Sequence, residues 1–186
     1  VKSHGQRLPA CGANCFAGKV RGTLPAELAL ALSPLVETID ELTRKIRAQD
    51  REIERICEEK YPETALLRQV VGVGAVTALR FVLTLENPHR FTSSRSVASY
   101  LGLRPRRSQS GGSDPQMRIT KAGDGEMRRL LVHSAHYILG PFGKDCDLRR
   151  FGERLAARGG KSGKKRAVVA VARKLAVLLH RLWVTG

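Results

Sequence analysis

The chain has 186 residues, with 33 Lys and Arg against 17 Asp and Glu, giving a formal net charge of +16 and a pI near 10.6. Residues 1–100 carry 14 basic and 11 acidic side chains, net +3, whereas residues 101–186 carry 19 and 6, net +13, the electrostatic footprint of a densely anionic partner. A membrane partner is not expected: no run approaches the ~20 apolar residues that span a bilayer, and the basic residues sit beside Gly, Ser and Pro rather than along one amphipathic face.

Residues 1–22 contain several glycines and Pro9 without a period, and are expected to be a connecting loop. The chain opens with Val1 and no signal peptide, which suits a segment of a longer protein. Cys11 and Cys15 stand four apart, Cys57 and Cys146 are isolated, and no His lies at ligand spacing from the first pair. No zinc site is therefore expected, and the scattered thiols suit a reducing cytosol.

Residues 23–62 read as a coiled-coil region. Leu28, Leu32, Leu35, Ile39, Leu42, Ile46, Gln49, Ile53 and Ile56 step alternately by four and three, the seam of a coiled coil. Ile39, Ile46 and Ile53 occupy one seam position, with Leu35 and Leu42 on the other, and Gln49 is a polar break. Pro34 either kinks this helix or begins it with Ser33 as N-cap, so the continuous helix is expected from Pro34 to about Lys60, ended by Tyr61-Pro62. Either a homo-oligomer or an intrachain helical hairpin would bury the seam.

Residues 63–186 form the second region. Gln69-Val-Val-Gly-Val-Gly-Ala-Val sets Gly72 and Gly74 between apolar runs. A helix from Glu63 to Val70, a glycine turn and a helix from Ala75 to Glu86 would make a helix-hairpin-helix at 63–86, stopped by Asn87-Pro88. Glycines accept positive φ and let backbone N–H groups approach a phosphate; an ordinary helical hairpin is the alternative. Phe91 to Ser94 caps a short helix from Arg95 to Leu101, closed by Gly102. Residues 103–120 are dense in Gly, Pro, Ser and Arg, and form an irregular basic loop or a short β-hairpin. Helices follow over Gly125–Leu139, Asp147–Arg158 and Ala167–Val184, broken at Gly140-Pro141 and at 159–163. The fold class is all-α.

Gly160-Lys161-Ser162 resembles the end of a phosphate-binding loop, but Leu155 stands where the first glycine is required, so the nucleotide reading is rejected. Arg106, Arg107, Ser108, Ser110 and Gly111 are chemically suggestive. Arginine neutralises phosphate oxygens through paired hydrogen bonds, and a serine beside it could attack a phosphodiester if activated. A loop that only lies on the phosphate backbone explains the same composition. His133 and His136, three apart on a helix, stay unassigned. Asp114, Asp124 and Glu126 do not form a two-metal set; the last two suit a helix N-terminus.

Taken together, Val71-Gly-Val-Gly-Ala-Val-Thr-Ala-Leu, Asn87-Pro-His-Arg-Phe, Ala98-Ser-Tyr-Leu-Gly-Leu-Arg-Pro-Arg, Ser110-Gly, Arg118-Ile-Thr-Lys-Ala-Gly-Asp and Met127-Arg-Arg-Leu-Leu resemble the C-terminal part of insertion-sequence transposases of the IS110/IS1111 group, the IS116/IS110/IS902 type. The likeness extends to the heptad helix and to Lys164-Lys-Arg-Ala-Val-Val-Ala-Val-Ala-Arg-Lys-Leu. It implies a coiled-coil region followed by a C-terminal transposase domain that supplies a catalytic serine. The family's Pro-Arg-x-x-x-Ser-Gly pattern falls on Pro105 to Gly111, which nominates Ser110 as the nucleophile and Ser108 as a poorer candidate. Gly72, Gly74, Arg104, Arg106, Arg107, Arg118 and Lys121 are the nominated nucleic-acid contacts.

The resemblance further implies DNA as partner, a guide RNA in some members, a dimer or tetramer through the coiled coil, and a prokaryotic, cytoplasmic, nucleoid-associated setting. The family's N-terminal DEDD carboxylate domain is expected to lie outside this segment. Mg2+ is expected only with that domain, and no cofactor or metal in the segment itself. The segment alone is then expected to bind nucleic acid without recombining it. A non-catalytic binding and oligomerisation module is the alternative.

Overall fold

The computed structural model describes residues 7, 10–107, 111–112, 117–160 and 162–186. Among them the regular structure is helical throughout, with no strand, as the periodicities require. The chain divides into two compact units, Val1–Arg55 and Ile56–Gly186.

In the first unit α1 (Ala13–Arg21) is followed by α2 (Ala26–Lys60), whose last turn belongs to the second unit. The helix α1 corrects the expectation of a loop over residues 1–22. Its glycines stand at Gly12 before the first turn, at Gly18 on an open face within the helix and at Gly22 as C-cap, so two bound the helix and the third lies within it without breaking it. The two helices run antiparallel: Ala17, Val20 and Val36 form a small core flanked by Phe16 and Leu24. Arg21 pairs with Asp40 at 3.0 Å, and Arg47 Nη2 donates to the Asn14 carbonyl at 2.7 Å.

Pro34 lies inside α2 without ending it. Its ring removes one backbone donor, but the site is exposed, so water can satisfy the freed Leu30 carbonyl. Ser33 is not a cap; its hydroxyl donates back to the Ala29 carbonyl at 2.6 Å. The heptad seam is not the face that α1 covers. At 100° per residue it lies roughly a quarter turn away, and Leu35, Leu42 and Ile46 remain 61%, 53% and 59% exposed.

The second unit is built around α8 (Gly163–Thr185), whose Val171, Ala172, Leu175, Ala176 and Leu179 are fully buried. This helix begins four residues earlier than its apolar run, with Lys164 to Arg166 in its first turn. Against it lie α5 (Ser94–Tyr100), α6 (Gly125–Leu139) and α7 (Asp147–Ala157). Gly152 permits the close approach of α7, since a Cβ there would meet Leu139 Cδ2 at 2.6 Å and Val171 Cγ2 at 2.7 Å. Arg149 ends α6 by donating to the carbonyls of Ile138, Gly140 and Gly143, which satisfies acceptors that a helix terminus leaves unpaired.

The glycine hairpin is unequal. Its first arm, α3, is the single turn Thr64–Leu67, shorter than the helix expected over 63–70. The chain tightens there into three-residue spacing, Gln69 N–H to Leu66 O and Val70 N–H to Leu67 O. The second arm, α4 (Ala75–Leu85), ends where Asn87-Pro88 requires, in a 3-10 turn at Pro88–Arg90 whose His89 N–H is accepted by the Asn87 side chain at 2.8 Å.

Candidate nucleic-acid interface

The basic segment is held by the way α5 ends. Gly102 adopts φ +69; its N–H reaches Ser99 O, and Leu103 N–H reaches Ala98 O, the paired bonds of a Schellman cap. Past this cap the two legs of the loop pair as an antiparallel ribbon with one bridge, Pro105 to Ile119. Arg106 N–H bonds Arg118 O, Thr120 N–H bonds Arg104 O, and Lys121 N–H bonds Gly102 O. The short-hairpin alternative thus describes the base of the segment. Two glycines let the base close: a Cβ at Gly102 would strike Ala122 backbone, and one at Gly123 (φ +72) would strike the Tyr100 carbonyl. Arg128 reaches across from α6 and donates to Leu101 O at 3.0 Å and Ala122 O at 2.9 Å.

Between ribbon, α5 and α8 lies a pocket of about 360 Å³ lined by Arg95, Ser96, Ser99, Arg104, Arg107 and Arg173, with Pro105 at its edge. Four arginines contribute to its lining. Among the described residues no guanidinium of the four has a carboxylate or hydrogen-bond partner, while arginine–carboxylate pairs of the unit form elsewhere: Arg80–Asp124, Arg90–Glu86, Arg129–Glu126, Arg149–Glu153 and Arg150 with Asp145 and Asp147. Uncompensated like charges in one pocket repel one another, and a phosphate relieves that repulsion while accepting paired N–H donors.

Of the residues nominated from sequence, Arg104 and Arg107 line this pocket. Arg106 turns to Thr120 O at 3.5 Å, and Arg118 and Lys121 are exposed on the ribbon without lining the pocket. Ser110, with Ser108 and Gln109, lies outside the described residues, between Arg107 and Gly111 in the chain. Gly72 has φ +82 and packs on α6, so that a Cβ would sit 3.0 Å from Ile138 Cγ1 and 3.1 Å from Ser134 O. Gly74 is the open N-cap of α4, with nothing within 4 Å of a Cβ there. Arg95 and Arg173 were not singled out by sequence. Arg173 carried a signal, a charge interrupting an apolar run; Arg95 carried only its place after a capping serine.

Neither Asp124 nor Glu126 is free for a metal. Asp124 accepts from Met127 N–H at 2.7 Å as the N-cap of α6 and pairs with Arg80 at 2.5 Å. These contacts, with the Met127 amide the largest, hold its carboxyl below the ordinary aspartate range. Glu126 pairs with Arg129 at 2.7 Å. Among the described residues no group of three or more His, Cys, Asp or Glu could hold an ion. Among the same residues no helix is long and apolar enough to cross a membrane.

The helical hairpin, the Schellman-closed ribbon and Met127 to Leu131 of α6 fall in one stretch that matches a class of DNA-mobilising proteins, the transposases. The chain matches, through residues 64–142, the family described as Transposase IS116/IS110/IS902. It is 32% identical over 116 residues to the transposase of insertion sequence element IS1111A from Coxiella burnetii, covering 62% of this chain and 31% of that protein. The transposase of element IS1328 from Yersinia enterocolitica is also 32% identical, over 62% of this chain and 34% of its own length. A pilin gene-inverting protein of Moraxella lacunata is 31% identical over 62% of this chain and 35% of its own. The alignments thus span about a third of the length of these curated relatives.

Proposed function

We propose that this chain is the DNA-gripping, serine-bearing segment of a transposase or site-specific recombinase, and that the rest of its active site lies on a part of the protein outside these residues. The observation that carries the reading is the pocket lined by four arginines whose guanidiniums have no partner among the described residues, one of them, Arg107, three positions before Ser110 in the chain. There the guanidiniums neutralise a DNA phosphate, which lowers the cost of charge developing on it during displacement. Ser110 Oγ forms a bond to the phosphorus of a 5′ phosphate as the bond to the leaving 3′ oxygen breaks. The serine proton passes through a base to that oxygen, leaving a 3′ hydroxyl. The names of the Coxiella and Moraxella relatives support DNA rearrangement as the outcome. A guide RNA, a homo-oligomer through the Leu/Ile stripe of α2 and a cytoplasmic, nucleoid-associated setting belong to the same reading.

The arginine pocket is tested by duplex binding across a salt series. Each phosphate contact adds about 0.9 to the slope of log affinity against log salt. Arg173→Ala and Arg95→Ala should each weaken binding and flatten that slope, with helicity retained. Binding that ignores salt, or variants with unaltered affinity, would overturn the reading.

A further inference from the structure

Helix α5 turns one face to the arginine pocket, with Arg95, Ser96 and Ser99, and another to the core, with Val97 and Ala98. Its last residue, Tyr100, belongs to neither. At 100° per residue it falls about 40° around the helix from Ser96 and one turn further along, beside the pocket but outside its lining. The side chain is 39% exposed, and its hydroxyl has no hydrogen-bond partner among the described residues.

Two side chains fix this ring from behind. Phe91 meets it edge-on with ring centroids 5.4 Å apart. Phe91 is packed in turn against the core and meets the buried His180 edge-on at 5.6 Å. The Arg90 guanidinium lies 5.2 Å from the centroid of Tyr100 and 5.3 Å from that of Phe91. Arg90 is anchored to the end of α4, where its Nη1 donates to Leu85 O at 3.4 Å and stands 4.0 Å from Glu86. A lone exposed tyrosine needs no explanation. This one is held in place, so it has little freedom left to lose on binding, and it stands beside guanidiniums that lack partners. A fixed, open π-face next to positive charge is what a base and its own phosphate require together.

We infer that Tyr100 is the stacking platform for one unpaired base of the DNA strand whose phosphate occupies the arginine pocket. Inside a duplex both faces of a base are covered by its neighbours, so the platform engages only a base that has left the stack or stands at a strand end. Cleavage at Ser110 produces such an end, and stacking on Tyr100 keeps it beside the pocket. The inference rests on the reading that the pocket takes a DNA phosphate, and adds the form of DNA that is held there. Every base has a π-face, so the platform does not select sequence.

Three probes test it: a short labelled single strand of DNA, a wholly abasic strand of the same length, and a relaxed closed circular duplex, which has no ends. Tyr100→Leu should weaken binding of the base-bearing strand about tenfold. It should bind the abasic strand and the circle within about twofold of the parent, and Tyr100→Phe should bind all three as the parent does. Irradiation of a 5-iodouracil strand with the parent chain should crosslink Tyr100, a reading that needs no variant to fold. Parental affinity of Tyr100→Leu for the base-bearing strand, or crosslinks only at other residues, would overturn the inference. Equal losses on all three probes would show that Tyr100 merely shapes the pocket, which also refutes it. A loss seen only with an RNA strand of the same sequence refutes the assignment to DNA. If Arg95→Ala and Arg173→Ala weaken duplex binding while every Tyr100 result is null, the pocket reading stands and the platform alone fails. A parent chain that binds no DNA at low salt removes both.

Discussion

His180 Nε2 lies 2.8 Å from the carbonyl oxygen of Pro88. A carbonyl only accepts, so Nε2 carries the proton, and in the neutral ring Nδ1 must accept from the Ser94 hydroxyl 3.0 Å away. The ring is buried and meets Phe91 edge-on. One side chain of α8 thereby fixes the 3-10 turn and the first residue of α5, the helix that brings Arg95, Ser96 and Ser99 to the pocket. His180→Leu removes both bonds and leaves the Pro88 carbonyl and Ser94 hydroxyl without them, at a cost of about 1–3 kcal/mol. Urea unfolding should show that loss, and duplex affinity should fall with it. An unchanged midpoint would mean that packing alone holds the turn.

The two glycines of the hairpin should behave in opposite ways. Gly72→Ala must hold positive φ and press on Ile138 and Ser134, a loss of about 1–3 kcal/mol. Gly74→Ala lies in extended backbone with open space, and should fall within about 0.5 kcal/mol of the parent. Paired urea melts separate them. Equal effects would contradict the packing of the turn on α6.

The contrast marks what the sequence could carry. Local signals read well: Asn87-Pro88 ended α4, Gly102 closed α5, and the apolar periods of α6 and α8 gave their helices. Gly72 and Gly74 look alike in a string because the difference between them is made by Ser134 and Ile138 of α6, more than 60 residues from Gly72 in the chain. Arg95, Arg104 and Arg173 likewise meet only through the packing of α5 and α8. The helix α1 was missed because its amphipathic signal is only two turns long, and Pro34 misled because exposure, which decides whether a freed carbonyl is satisfied, is not written locally.

Asp124 makes stability depend on acid. Its carboxyl is depressed by the Met127 amide first and by Arg80 after it, so the folded state binds its proton less readily than the unfolded chain. The stabilisation is full above the ordinary aspartate value of about 3.9 and is lost as pH falls through the depressed folded value. Asp124→Asn should be less stable than the parent at neutral pH, with the gap narrowing as pH drops toward 2 to 3. A gap that stays constant across a pH series of urea melts would show that the ionised form contributes nothing.

The Leu/Ile stripe of α2 is expected to mediate self-association, since α1 covers a different face and leaves Leu35, Leu42 and Ile46 exposed. Ile39→Asp with Ile46→Asp would bury unpaired charge in any helix pair formed there and should convert an oligomer to monomer in sedimentation, with the α1–α2 contact intact. A parent chain that is already monomeric at micromolar concentration would sink this expectation.

Ser110 carries the sharpest consequence. A serine beside glycine in a basic segment is dispensable for folding if its hydroxyl serves chemistry, so Ser110→Ala in the full-length protein should keep the parent's thermal midpoint and DNA affinity. The same variant should lose the covalent protein–DNA adduct, because no other atom of the side chain can form the bond to phosphorus. Ser108→Ala should retain the adduct. Denaturing gels of each variant with labelled DNA read both outcomes. Loss of the adduct in Ser108→Ala but not Ser110→Ala would shift the nucleophile by two residues. Adducts in both would remove serine chemistry from this chain, while leaving the arginine pocket as a binding site whose worth the salt series measures separately.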